Sequence, residues 1–183
     1  MRIFIAIDLP LELKNKISGF VEVLKKKENR GIKYVAAENL HLTLKFIGEI
    51  GDKNLKLIIE ALSKISFKPF NLELKSTGCF PTFFNPRVLW IGTKDEDSHL
   101  FDLYKNIVSN LPEDLIKKDE HDFSPHLTIA RFKSKPSNEF INFLKSENNH
   151  DFGEFSVKSF CVYESMLKPS GAVYTKLKEF FCK

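Results

Sequence analysis

The chain has 183 residues, about the length of one domain. Its 43% hydrophobic and 28% charged residues exclude an intrinsically disordered chain. The net charge of +4 is too small to announce a polyanionic partner by itself, and the longest apolar runs, such as Ile3–Ile7, fall far short of the roughly 20 residues of a membrane span.

Further classes fall away on local features. The N-terminus has neither a secretory apolar region nor a small-residue cleavage site, so a cytoplasmic protein is expected. Cys79, Cys161 and Cys182 form no CxxC pair and no zinc framework, and read as reduced, buried or idle thiols. No linker composition occurs, and Lys25–Lys27 reads as a solvated helix end. The 18 phenylalanines must be packed or must stack on something flat.

In chain order, Arg2–Ile7 is β-branched and apolar and predicts a buried strand. Asp8 reads as the cap of a helix, with Pro10 in its first turn. Leu13, Ile17, Phe20, Val21 and Leu24 form that helix's apolar stripe, and Gly31 ends it. Leu40–Ile47 alternates as a strand. Leu55, Ile58, Ile59 and Leu62 mark a second helix capped by Asp52, and Phe70–Cys79 is strand-like. The turn-rich stretch Phe80–Arg87 then reads as a midpoint boundary.

The second half repeats the pattern. Val88–Ile91 predicts a strand, and Leu100, Leu103, Tyr104, Ile107, Val108 and Leu111 form a helical stripe that stops near Pro112. His126–Phe132 predicts a strand, Ser137–Lys145 a short helix and Phe155–Tyr163 a final strand. Ile5 precedes His41 by the same interval that separates Trp90 from His126, which suggests a duplication.

The content of the two later strands carries the chemistry. His41-Leu42-Thr43-Leu44 and His126-Leu127-Thr128-Ile129 are near-copies. Alternate residues of a strand share a face, so each strand offers an imidazole beside a hydroxyl and backs them with apolar residues. If the halves face each other, two imidazoles supply a base and an acid near neutral pH, and two threonines supply donors to an anion. A phosphodiester is a target that such a site could cleave without a metal. The sequence has no P-loop, no HExxH and no Asp-rich cation site.

These segments resemble the two-histidine (2H) phosphoesterase superfamily, and within it the bacterial and archaeal RNA 2′,3′-cyclic phosphodiesterases, historically called 2′-5′ RNA ligases. The resemblance rests on residues 1–10, 39–48, 86–92, 124–131 and 163–165 and spans nearly the whole chain. It implies an α+β fold of two pseudo-symmetric lobes in a single domain over residues 1–183. Each lobe is then an antiparallel sheet with helices packed outside, and the active-site cleft lies between them. It further implies His41 as proton donor, His126 as the base that activates water, and an RNA 2′-phosphomonoester product. The implied partner is an RNA 3′ end bearing a 2′,3′-cyclic phosphate, with no membrane, no obligate protein partner, no cofactor and no metal.

Thr43 and Thr128 are assigned to phosphate binding. Arg131 resembles a family position near the phosphate, but strand parity points it away from His126 unless the strand ends or bulges near Ala130. Lys45 shares parity with His41 and Thr43, and reads either as part of a positive cleft or as an exposed salt bridge. Tyr34, Phe83 and Phe84 are candidate base-stacking residues, with core packing as the plainer reading. His121-Asp122 has the look of a metal pair but lacks a companion cluster, and His99, His121 and His150 read as surface or turn histidines. Two other functions remain open on sequence: joining or cutting 2′-5′ RNA linkages, and a non-catalytic RNA-binding module.

Overall fold

A computed structural model describes residues 1–115, 122–169 and 171–183. In chain order its elements are β1 (Arg2–Asp8), α1 (Leu11–Lys27), β2 (Ile32–Tyr34), β3 (His41–Glu49), α2 (Asp52–Ser63), β4 (Phe70–Phe80), β5 (Val88–Lys94), α3 (His99–Asn110), β6 (His126–Phe132), α4 (Asn138–Ser146), β7 (Asp151–Val157), β8 (Ser159–Lys168) and β9 (Gly171–Phe181). They build two antiparallel sheets, one ordered β3-β1-β8-β9 and the other β2-β6-β5-β4-β7. The architecture is the expected α+β pair of lobes.

The predicted apolar stripes become the helix faces that pack inward. Leu13, Ile17, Phe20, Val21 and Leu24 of α1 are all buried, as are Leu100, Leu103 and Ile107 of α3. The helices are exchanged between lobes. α1 follows β1 of the four-stranded sheet but packs on β7 of the other, while α3 follows β5 of the five-stranded sheet and packs on β3. The lobes therefore share one main core, in which Ile5, Leu42, Leu89, Leu127 and Phe152 all lie.

Several expectations are corrected. The stretch proposed as a midpoint boundary is the turn of the β4–β5 hairpin inside one sheet, closed by Arg87 N–H donating to the Phe80 carbonyl at 2.7 Å. The single final strand is two strands in different sheets: β7 pairs with β4 and β8 with β1, and the chain crosses between lobes at Lys158. Its unbroken apolar run hides that crossing. β2 and β9 carried no sequence signal, the first because it has three residues and the second because it is a largely exposed edge strand. Neither predicted aspartate cap forms. Pro10 and Gly51 occupy the N-cap positions of α1 and α2 without a side-chain bond, whereas Ser137 does cap α4 by accepting from Phe140 N–H.

The duplication is real, with a register one residue off the equal spacing. Ala6 faces Thr43 as Trp90 faces Thr128, and Asp8 faces His41 as Gly92 faces His126. Ala6 rather than Ile5 is thus the counterpart of Trp90.

Candidate active site

The two motif strands are laid out alike. β3 and the whole of β6 show the same burial order from their histidines onward: half-buried His, buried Leu, half-buried Thr, then two buried residues, an exposed one and a buried one. Each histidine and threonine lies on one face, and the intervening leucine enters the main core. β3 and β6 belong to different sheets, yet their backbones approach within 8 Å, so the motifs meet where the lobes adjoin.

Both imidazoles are held in the same way. His41 Nδ1 lies 2.7 Å from the Asn39 carbonyl and His126 Nδ1 lies 2.7 Å from the Ser124 carbonyl, each two residues upstream. A carbonyl only accepts, so Nδ1 carries the proton in both rings and Nε2 is the atom left for chemistry. Each ring is also met edge-on by an aromatic. Tyr174 stands 5.0 Å from His41 at 87°, and Phe80 stands 4.9 Å from His126 at 86°.

A β-bulge follows each threonine. Lys45 pairs with Ile5 and Thr43 with Ala6, which leaves Leu44 as the extra residue; Ala130 pairs with Leu89 and Thr128 with Trp90, which leaves Ile129. A bulge resets strand parity. It turns Arg131 onto the face of His126 and Thr128, meeting the condition that parity imposed. Arg131's charge then acts across the lobes on His41 and disfavours its protonated form. The equivalent bulge in β3 moves Lys45 the other way. Only 3% exposed, Lys45 is neither part of the site's face nor an exposed salt bridge. Phe46 takes its place there, 58% exposed.

The surroundings of the two histidines differ where the repeat is broken. Asp8 faces His41, whereas Gly92 faces His126. Asp8 accepts ion pairs from Lys14 at 2.7 Å and Lys176 at 3.4 Å. Burial opposes its charge, but these two ammonium groups win and hold the carboxyl below its usual range. Burial also pushes the His41 pKa below the ordinary imidazole value. The Asn39 carbonyl and Asp8 act in the opposite sense, and Lys14 and Arg131 add to the depression. Phe4 at 4.8 Å completes the wall beside His41 and joins Ala6, Cys161 and Tyr163 in a small apolar cluster separate from the main core.

On the other lobe, Trp90 lies across Gly78, where an added Cβ would come within 2.2 Å of the indole ring. Only glycine allows that approach. The indole Nε1 is buried and has no hydrogen-bond partner among the described residues.

Sequence reasoning read Asp8 only as a cap and singled out neither Phe46, Phe80 nor Tyr174. Asp8 could have been found by aligning the halves through Ala6 and Trp90. Of the candidate stacking residues, Tyr34 donates its hydroxyl to the Glu28 carbonyl at 2.6 Å and packs with Phe83 against the core. Phe84 is 81% exposed under Lys135. His99 and His150 sit beside Asp95 and Glu147, away from the motifs; His121 lies outside the described residues. Cys79 and Cys161 are buried, which pushes their thiols up to about 12 and about 11.

The family model described as LigT like Phosphoesterase matches the chain twice, over residues 7–90 and 91–174. An RNA 2′,3′-cyclic phosphodiesterase of Methanocaldococcus jannaschii is 38% identical over 181 residues, covering 98% of this chain and 100% of its own. Its namesake from Archaeoglobus fulgidus is 36% identical over 180 residues, covering 98% and 99%. Among solved structures, a Thermus thermophilus protein superposes with a TM-score of 0.80 at 32% identity, over 99% of this chain and 97% of that one. Escherichia coli LigT complexed with 3′-AMP gives 0.80 at 26% identity over the same shares.

Proposed function

The chain belongs to the LigT-like phosphoesterase family, and from that premise we propose that it hydrolyses RNA 2′,3′-cyclic phosphodiester ends to 2′-phosphomonoesters, with His41 as acid and His126 as base. The observation that carries the reading is the duplicated His-x-Thr face, with Nδ1 anchored to the carbonyl two residues upstream in both copies.

Water attacks phosphorus while neutral His126 takes its proton at Nε2. The bond from phosphorus to the 3′ oxygen breaks, and protonated His41 gives its Nε2 proton to that oxygen. One water is consumed, the 2′ ester remains and a 3′ hydroxyl is freed. The Thr43 and Thr128 hydroxyls donate to the non-bridging oxygens, and Arg131 balances their charge. Burial lowers the His41 pKa and so disfavours its protonated form. An anionic phosphate beside it acts in the opposite sense and favours the protonated form that the acid role needs.

Both proton transfers are covered by imidazole, so the reaction is metal-independent. Incubation of the protein with an RNA ending in a 2′,3′-cyclic phosphate should yield a 2′-phosphate end at the same rate with and without a chelator. Loss of turnover in chelator, restored by a divalent ion, would show that the two histidines do not suffice. Cleavage or joining confined to 2′-5′ linked RNA would replace the reaction while keeping the site. RNA binding without any turnover would leave a non-catalytic module.

Asp8 gives a test of the acid assignment. Its charge favours protonated His41, so Asp8→Asn removes that support and lowers the His41 pKa further. As the acid, His41 governs the alkaline limb of kcat/KM against pH, and in the variant that limb moves to lower pH. The acidic limb stays in place. A profile superimposable on the parent's would remove Asp8 from any role at His41.

A further inference from the structure

Each imidazole is set by a carbonyl two residues upstream, so each is only as well placed as the segment that carries that carbonyl. The ladders end at His41 and His126, so strand pairing fixes neither carbonyl. The two copies hold it by unrelated means.

Before His41 the chain makes a short 3-10 turn, Ala37–Asn39. Asn39 N–H donates to the Ala36 carbonyl at 2.9 Å, and Leu40 N–H donates to the Ala37 carbonyl at 3.2 Å. The Asn39 side chain then donates from Nδ2 to the Ala172 carbonyl of β9 at 3.0 Å, across 133 positions of the chain. One residue thus carries both the carbonyl that accepts from His41 and the amide that ties it to the sheet.

Before His126 the chain is irregular, and its anchor is aromatic. The Phe123 ring lies on the Tyr104 ring of α3, with centroids 3.9 Å apart and planes 3° from parallel. Phe123 directly precedes the Ser124 carbonyl. On the other side of that carbonyl, the Thr93 hydroxyl reaches the Pro125 carbonyl only at 3.5 Å, the long limit of a hydrogen bond, so the stack is the closer hold. Both anchored segments also meet a helix exchanged between the lobes. α1, packed on β7, contacts the Ala37–Asn39 turn, and α3, which carries Tyr104, packs on β3. The carbonyl behind the base is thereby tied to the helix that lies on the strand of the acid.

We propose that Asn39 and the Phe123–Tyr104 pair are positioning residues, the first for His41 and the second for His126. Each holds the carbonyl that keeps its imidazole in the Nδ1–H form, with Nε2 left for the substrate. Their effect on rate rests on the functional reading above; their effect on the tautomer does not.

Long-range nitrogen–proton correlation spectra of the protein without substrate, at alkaline pH, read the tautomer of each histidine ring. In the parent, His41 and His126 should both carry the proton on Nδ1. Asn39→Ala should mix the two tautomers at His41 and leave His126 as in the parent. Phe123→Leu should do the reverse, and Phe123→Tyr, which keeps a ring on Tyr104, should restore the parent pattern. On an RNA ending in a 2′,3′-cyclic phosphate, kcat in Asn39→Ala and Phe123→Leu should fall by about 10- to 100-fold, the usual cost of loosening what orients a functional histidine. KM should stay within about twofold of the parent, because substrate binding itself is untouched.

Asn39 and Phe123 are only half-buried, so these substitutions spare the fully buried core, and thermal melting checks it. Tyr104→Leu removes the same stack from its other side if Phe123→Leu does not fold. Unchanged tautomers in Asn39→Ala and Phe123→Leu would overturn the proposal, even with a lowered melting temperature. So would one variant that frees both rings, since that marks a general loosening. A parent protein that turns over no such RNA fails the functional reading. The positioning roles then stand if each substitution frees its own ring alone, and fall if it does not.

Discussion

Replacing either His41 or His126 with alanine is expected to lower turnover of an RNA bearing a 2′,3′-cyclic phosphate by about 10²–10⁴-fold, the usual worth of one positioned proton transfer. The two losses should not multiply in the double variant, because both imidazoles serve one step. The parent's rate should be bell-shaped in pH, with apparent pKa values that belong to the coupled pair. Each ring is anchored through Nδ1, so the missing function is the one at Nε2. With the acid gone in His41→Ala, the alkaline limb flattens. With the base gone in His126→Ala, the acidic limb flattens. The measurement is turnover from pH 4 to 10 for the parent and both variants, with product analysis by 2′-phosphate content. Full activity in either variant would take that residue out of the mechanism. Thr43→Val and Thr128→Val should cost less, since each removes a neutral hydrogen bond and no proton transfer.

What the sequence made legible was what repeats with a short period. The alternation of His41-Leu42-Thr43 and of His126-Leu127-Thr128 fixes two faces of a strand from three residues each, and the helical stripe of α1 appears in full as Leu13, Ile17, Phe20, Val21 and Leu24. What escaped depends on pairing between distant segments. A bulge is a property of two strands, so nothing in Leu44 or Ile129 announces that the parity of Lys45 and Arg131 is reset after them. Simple alternation therefore puts Lys45 on the face of His41 and Arg131 off that of His126, and register reverses both. Asp8 becomes a neighbour of His41 only through the β1–β3 ladder. The exchange of α1 and α3 between lobes is equally invisible, because an apolar stripe does not say which sheet it will cover.

The leucines of the two motifs make the opposite prediction from the histidines. Leu127 lies between His126 and Thr128 in sequence, points away from both and is 0% exposed in the main core. Truncating a fully buried leucine to alanine removes its transfer free energy and leaves a cavity, at a cost of about 2–5 kcal/mol. For a chain of this length each kcal/mol lowers the melting temperature by about 2–4 °C, so Leu127→Ala should melt on the order of 10 °C below the parent. Leu42→Ala, 1% exposed on the matching strand, should do the same. His126→Ala changes a half-buried side chain on the other face and should melt close to the parent while losing its activity. Thermal unfolding of the three variants followed by circular dichroism separates the two faces of one motif. A Leu127→Ala protein that melts with the parent would mean that this leucine does not hold its strand against the core, and that the motif's alternation is not what positions the imidazole.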